Sequence, residues 1–250
     1  MTEGFGRTVL RFLIWCLFYC TLAVIGNIVG NVTHSDEVMS WTMLSGFVLM
    51  TVVYLRRHYV ELSFGRIERR VVWPAVGVSV LIAAAYVLVL VSVFALFDFD
   101  YLFSKEIDSL DKTGEHLFPG IAGLFYGCIF CPILEEIGIR GILLGGLLKS
   151  RCHPWLAILI TALVFAVLHG VGVHSVVSVV FSIIVGWLYW RTGSIIPGMI
   201  VHVVNNSLSF IDLGGQSKVV CMLIFVGGLL SLALGLWWFA RKCVTYKTRS

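Results

Sequence analysis

The sequence predicts an all-α membrane protein, a polytopic bundle of about eight transmembrane helices with both termini in the cytoplasm. Of the 250 residues, 59% are hydrophobic and only 13% are charged, against about 45–50% and about 25% in soluble domains. The apolar residues form long unbroken runs, whereas membrane β-barrels show weak alternating segments of roughly ten residues. This composition argues against a soluble enzyme, a disordered chain and a nucleic-acid-binding protein.

Eight apolar runs approach the length of about 20 residues that a membrane-spanning helix needs. They lie at 9–30, 39–55, 72–97, 118–148, 155–169, 173–190, 195–210 and 219–240. The runs at 155–169 and 195–210 are short, so we expect them to pack inside the bundle or to extend into the interface. The first run is longer than the apolar part of a signal peptide, and we interpret it as a retained anchor.

Positive charge indicates the orientation of these spans. With eight spans, fourteen of the 18 Lys and Arg residues fall on one side, only Lys105, Lys112 and Lys218 fall on the other, and Arg140 lies within a span. Because Lys and Arg concentrate in cytoplasmic loops, both termini are predicted to be cytoplasmic. We expect a multi-pass protein of the bacterial cell membrane, in contact with its lipids and with no nucleic-acid partner.

The fourth span carries charges that an apolar helix normally lacks. It contains Glu135, Glu136 and Arg140, and each charge at the bilayer centre costs at least about 2.5–3.5 kcal/mol. Residues four apart share a helix face, so Glu136 and Arg140 are predicted to form an ion pair of structural role. Glu135 points elsewhere without a cation, which suits a general base. Pro132 should bend this helix and free a carbonyl.

Two further spans carry polar side chains. His169 ends the fifth, and His202 and Asn206 lie four apart in the seventh, so that an imidazole and a carboxamide could donate to one oxyanion. A single buried histidine is more often a satisfied core residue, but polar groups in three spans favour a shared site. The seven cysteines are interpreted mainly as small apolar packing residues. Cys128 and Cys131 form a C-x-x-C pair, without the second pair of a zinc ribbon.

The ordered set Glu135-Glu136-x-x-x-Arg140, Phe165-x-x-x-His169 and His202-x-x-x-Asn206 resembles the CPBP family of intramembrane endopeptidases, which includes CAAX proteases and bacteriocin-processing enzymes. The resemblance covers about residues 118–210. It implies a helical bundle around a water-filled cavity that opens toward the cytoplasm.

The resemblance also implies roles for these residues. Glu135 would activate the attacking water with help from His169, as in a glutamic protease, and His202 and Asn206 would stabilise the oxyanion. Glu136 and Arg140 would support them. The resemblance does not settle whether a cofactor is bound. The family was long regarded as metalloproteases, and two histidines and a glutamate on three helices could hold zinc. The expected substrate is a peptide precursor, such as a bacteriocin leader, or a membrane-protein tail, more than a prenylated CAAX protein.

The predicted organisation has three parts. Residues 1–117 hold three helices with basic cytoplasmic and acidic outer loops, 118–210 form the catalytic core of helices four to seven, and 211–250 hold the last helix and a basic tail. Two other functions stay open on the sequence: a non-catalytic immunity or scaffold protein, and a proton-coupled transporter that uses Glu135 and the histidines as a relay.

Overall fold

The computed structural model describes residues 4–57, 67–97, 125–169, 173–208 and 216–242. These residues form helices and short connections, and none of them lies in a β-strand. The predicted all-α fold of a helical membrane bundle is therefore confirmed. The acidic segment 98–117 and the first residues of the predicted fourth span lie outside the described residues.

The helices of the described residues follow the predicted spans in order. They are α1 (Phe5–Thr33), α2 (Asp36–Arg56), α3 (Val72–Phe97), α4 (126–149), α5 (Pro154–Leu168), α6 (Val173–Thr192), α7 (Ile196–Ser207) and α8 (Lys218–Lys242). A 3-10 turn, Arg69–Val71, precedes α3. Five of them, α1, α2, α3, α6 and α8, contain stretches long and apolar enough to cross a membrane. The count of eight spans and the cytoplasmic position of the termini stay predictions.

The two short spans behave differently. Helix α7 has 12 residues, and its buried positions include Met199, Val201 and His202, as expected for a helix inside the bundle. Helix α5 has 15 residues, but Leu163 and Val167 are exposed on its outer face. Helix α5 is therefore apolar on two sides, one toward the core and one toward the surroundings.

Helix α4 forms the centre of the bundle, and small residues let its neighbours approach it. A Cβ atom added at Gly138 would lie 2.7 Å from the ring of Trp15 on α1, and one added at Gly146 would overlap Thr8. Side chains on α4 such as Leu134 and Leu144 are almost completely buried. Close packing of this kind replaces the hydrophobic driving force that is missing between helices in lipid.

The remaining helices enclose α4 and α7. Helix α3 packs along α8 and also against α7, and α5 packs along α6. Gly228 and Gly235 permit the close contact of α8 with α3, because a Cβ at Gly235 would lie 2.6 Å from Ile82. This arrangement brings polar side chains of α4, α5 and α7 to one region.

Candidate active site

Helix α4 changes its winding around Pro132. Tyr126–Phe130 form π-helical turns, and the amide of Cys131 donates to the carbonyl of Tyr126. The next amide in this five-residue pattern would belong to position 132, but proline has no N–H. The carbonyl of Gly127 therefore cannot accept a hydrogen bond from position 132. π-Helical turns inside α-helices frequently mark functional sites.

Asn206 on α7 donates to this carbonyl. Its Nδ2 lies 3.0 Å from the Gly127 oxygen, and its own Oδ1 accepts a hydrogen bond of 3.2 Å from Nδ2 of Asn205. The Gly127 carbonyl, five residues before Pro132, is therefore the candidate for the freed carbonyl that the sequence predicted. The contact joins α7 to α4 and orients the carboxamide of Asn206.

The predicted ion pair between Glu136 and Arg140 is present and is buried. Nη1 of Arg140 donates to Oε1 of Glu136 at 2.8 Å, with 1% and 0% of the two side chains exposed. Nη2 of Arg140 also donates to the hydroxyl of Ser182 on α6 at 2.9 Å, and the guanidinium lies over the ring of Phe165, 4.9 Å from its centroid. Three helices thus meet at one buried charge.

Glu136 also binds His202, which the sequence did not indicate. Nδ1 of His202 lies 2.9 Å from Oε1 of Glu136, and only 4% of the imidazole side chain is exposed. A carboxylate that already accepts from Arg140 can only accept from the imidazole, so Nδ1 carries the hydrogen. Nε2 of His202 is therefore an acceptor in the neutral ring and a donor only in the imidazolium.

His169, like His202, carries a hydrogen on Nδ1, but for a different reason. The residue lies directly after the end of α5, and its Nδ1 is 2.8 Å from the carbonyl oxygen of Phe165. Because a carbonyl only accepts, Nδ1–H donates and Nε2 is directed elsewhere. The imidazole packs on Phe165, with 4.2 Å between the ring centroids.

Glu135 faces both histidines. Its Oε2 lies 3.7 Å from Nε2 of His169 and 3.6 Å from Nε2 of His202, and 20% of the glutamate side chain is exposed. These separations exceed a direct hydrogen bond, so one small polar molecule such as water could contact all three atoms. Oε2 of Glu135 on α4, Nε2 of His202 on α7 and Nε2 of His169 directly after α5 therefore face one another.

These groups lie in the wall of a cavity of about 640 Å³. The polar wall contains Glu135, His169, His202, Asn205, Asn206, Ser178 and Cys131. The apolar wall comes chiefly from α3 and α6 and contains Val87, Leu90, Val91, Phe94, Val177 and Phe181. An apolar space with a few convergent polar groups is typical of a binding or active site.

Comparison with protein families identifies this region. Residues 117–208 match the family model described as type II CAAX prenyl endopeptidase Rce1-like. This part of the chain is an Rce1-like domain. The resemblance to CAAX proteases found in the sequence is thereby confirmed, as is the enzyme class, a CPBP-type intramembrane peptidase. Comparisons with curated proteins and with solved structures found no match.

The Rce1-like domain contains every residue that the sequence analysis selected, and the structure brings them together. Glu135, His169 and His202 face one another, Glu136 pairs with Arg140, and Asn206 lies in the same cavity wall. The division of the chain at 117 and 210 stays a proposal. The side chain of His174, interpreted from sequence as a bystander, lies outside the described part of the structure.

Zinc was the one cofactor that the sequence left open. Within the described residues, no group of three or more His, Cys, Asp or Glu side chains is arranged to hold a metal ion. Nδ1 of each imidazole and Oε1 of Glu135 are engaged in hydrogen bonds, which leaves Nε2 of each ring and Oε2 of Glu135 facing the cavity. The reaction proposed for this site uses no metal ion, and a chelator test distinguishes the two cases.

Sequence reasoning missed two residues of the site. Ser182 was not singled out, although it binds Arg140 on the far side of the ion pair. Cys131 was interpreted as packing, yet its Sγ lies 3.0 Å from Oε1 of Glu135. The spacing of four residues between Cys131 and Glu135 was the available signal, since such residues share a helix face.

Proposed function

We propose that this chain is an intramembrane endopeptidase that hydrolyses a peptide bond of a membrane-associated or peptide-precursor substrate. The observation that carries the proposal is the convergence of Oε2 of Glu135 with Nε2 of His169 and of His202 at 3.6–3.7 Å. A base, a second proton acceptor and a potential oxyanion donor then face one another in the wall of a mainly apolar cavity.

In the proposed reaction, a water between Glu135 and His169 attacks the carbonyl carbon of the scissile bond. Glu135 takes a proton from the water as the new C–O bond forms, and the carbonyl π electrons move to the oxygen. When the tetrahedral intermediate collapses, the C–N bond breaks and the proton passes from Glu135 to the leaving amine. Protonation balances over the cycle without a cofactor.

The developing oxyanion is proposed to be stabilised by His202 and Asn206. Since the Nδ1 hydrogen of His202 is bound to Glu136, His202 donates to the oxyanion from Nε2 as an imidazolium. The Asn206 carboxamide carries two hydrogens; one binds the Gly127 carbonyl, and the other is assigned to the oxyanion.

Glu136 and Arg140 are proposed to hold this arrangement. Their ion pair, with Ser182 behind it, fixes the orientation of the His202 ring through Glu136. Preorganised donors of this kind supply much of the rate in many enzymes, because they need not reorient during the reaction. The proposed location is the bacterial cell membrane.

Glu135→Gln tests the proposal, with Glu37→Gln as the matched control on the exposed part of α2. Membranes that contain the parent or either variant would receive a fluorescence-quenched CAAX peptide in farnesylated and unmodified forms, and a tagged membrane-protein tail. We expect Glu135→Gln to lower cleavage by about 10²–10⁴-fold, the usual contribution of a general base, and Glu37→Gln to cleave like the parent.

Three results would count against the proposal. Cleavage by Glu135→Gln at the parental rate would remove Glu135 from the reaction. Loss of cleavage on addition of a chelator, followed by recovery on addition of zinc, would show that a metal ion takes part in activating the water. The third result has two parts: the parent cleaves none of the three substrates, and its activity in cells is unchanged by Glu135→Gln. That result would favour a non-catalytic binding role.

A further inference from the structure

The second oxygen of the Glu135 carboxylate has a partner on its own helix. Sγ of Cys131 lies 3.0 Å from Oε1 of Glu135, and the two residues are four apart in the α-helical turn Cys131–Glu136. A carboxylate only accepts, so the thiol hydrogen points to Glu135. Oε1 is thus held by the thiol while Oε2 faces the two histidines.

A tyrosine of the first helix lies behind this thiol. The hydroxyl of Tyr19 is 4.0 Å from Sγ of Cys131, a long contact to sulfur, and 2.8 Å from the hydroxyl of Tyr126. Because Cys131 donates its one hydrogen to Glu135, its sulfur can only accept from Tyr19. The hydroxyls of Tyr19 and Tyr126 share one hydrogen bond, in which either can be the donor.

Aromatic packing fixes the position of Tyr19. Its ring stacks on Trp15 with 5.7 Å between centroids and on Phe47 with 4.9 Å, and Phe47 stacks on Tyr126 at 5.6 Å. Helices α1 and α2, which lie outside the Rce1-like domain, thereby hold a hydroxyl close to its polar centre. Offset aromatic pairs of this kind favour one geometry over others.

We propose that Cys131, with Tyr19 behind it, is a positioning residue that fixes the rotation of the Glu135 carboxylate. This inference rests on the proposed role of Glu135 as general base. The glutamate side chain has several rotatable bonds, and only some rotations direct Oε2 to His169 and His202. The hydrogen bond from the Cys131 thiol to Oε1 selects those rotations before substrate binds. The thiol does not take part in the proton transfers.

Cys131→Ala and Cys131→Ser test this assignment, with Cys16→Ala on α1 as the control for loss of a thiol. A hydrogen bond to a charged group contributes about 1.5–3 kcal/mol, so we expect Cys131→Ala to lower kcat at least about tenfold. KM should stay within about twofold, because the thiol acts on the base and not on substrate. Cys131→Ser retains a donor and should keep kcat within about threefold of the parent.

Tyr19→Phe gives an independent test, because it keeps the aromatic stack and removes only the hydroxyl. We expect a smaller fall in kcat, about twofold to fivefold, and no additional fall when it is combined with Cys131→Ala. A Cys131→Ala enzyme with parental kcat, or a Cys131→Ser enzyme as slow as Cys131→Ala, would overturn the assignment. The parent and Glu135→Gln are assayed in parallel. If Glu135→Gln cleaves at the parental rate, the proposed function is wrong. If Glu135→Gln is slow but the Cys131 variants cleave like the parent, only the positioning role of Cys131 is wrong.

Discussion

Nδ1 of His202 donates to Oε1 of Glu136 over 2.9 Å inside the bundle. The same carboxylate oxygen accepts from Arg140, so the residue expected to serve only an ion pair also determines the tautomer of an imidazole in the cavity. The structural and the catalytic parts of the site therefore share one atom. Substitutions at Glu136 should affect both protein stability and cleavage, and paired substitutions should separate the two effects.

Glu136→Gln alone should lower the amount of folded protein. It leaves the buried charge of Arg140 without its carboxylate, and breaking a buried pair in this way costs about 3–5 kcal/mol. Glu136→Gln combined with Arg140→Met removes both charges and should restore much of the folded protein. The measurement is the thermal unfolding of each variant in detergent, alongside its level in membranes.

Cleavage by two double variants then isolates the effect on His202. Glu136→Gln with Arg140→Met keeps an oxygen that can accept from Nδ1–H, whereas Glu136→Met with Arg140→Met removes it. We expect the second enzyme to be about tenfold slower, since an orienting hydrogen bond of about 1.4 kcal/mol is lost. Equal rates in two equally folded double variants would show that Glu136 does not position the ring.

The contact between Asn206 and the Gly127 carbonyl predicts coupling between Asn206 and Pro132. Asn206→Ala should cost about 1–3 kcal/mol of stability, because it leaves a carbonyl inside the bundle without a donor. In a Pro132→Ala background, an amide at position 132 can donate to that carbonyl, so the same substitution should cost about 1 kcal/mol less. Unfolding in detergent of the parent, both single variants and the double variant measures the difference; an identical cost in both backgrounds would contradict it.

Gly198 provides the space in which α7 approaches Glu136. A Cβ atom there would lie 2.7 Å from Cγ1 of Val185 and 2.9 Å from Oε2 of Glu136. Gly198→Ala should therefore destabilise the protein by about 1–3 kcal/mol through overpacking and should slow cleavage by displacing Glu136. Gly77→Ala on α3 is the matched control, because a Cβ there meets nothing within 4 Å and alanine favours a helix. If the two variants unfolded at the same temperature, the close approach at Gly198 would not matter.

Residues four apart on one helix account for what the sequence predicted well. The pairing of Glu136 with Arg140 follows from helical periodicity alone, and so does the divergence of Glu135 from that pair. The freed carbonyl follows from the chemistry of proline, which has no amide hydrogen. Contacts between helices could not be predicted in this way, because they depend on helix rotation and on small residues such as Gly138 and Gly198 that permit close approach.

Cys131 shows where composition misleads. A cysteine in an apolar run usually packs as a small hydrophobic residue, and its type alone does not reveal a thiol beside a carboxylate. Its spacing to Glu135 was available, but the approach of Tyr19 from α1 could be seen only once the first and fourth helices were packed together.

The amino-acid sequence determined the helical membrane class, the positions of the helices and the residues able to do acid–base chemistry, because hydrophobic length and residue type are local properties of the chain. The tertiary structure decided that His202 binds Glu136, that Asn206 binds Gly127 and that Glu135 lies between two Nε2 atoms. Those relations join residues 66–79 positions apart on α4 and α7, or lie between α4 and the end of α5. They exist only when close packing sets the rotation and depth of each helix relative to its neighbours.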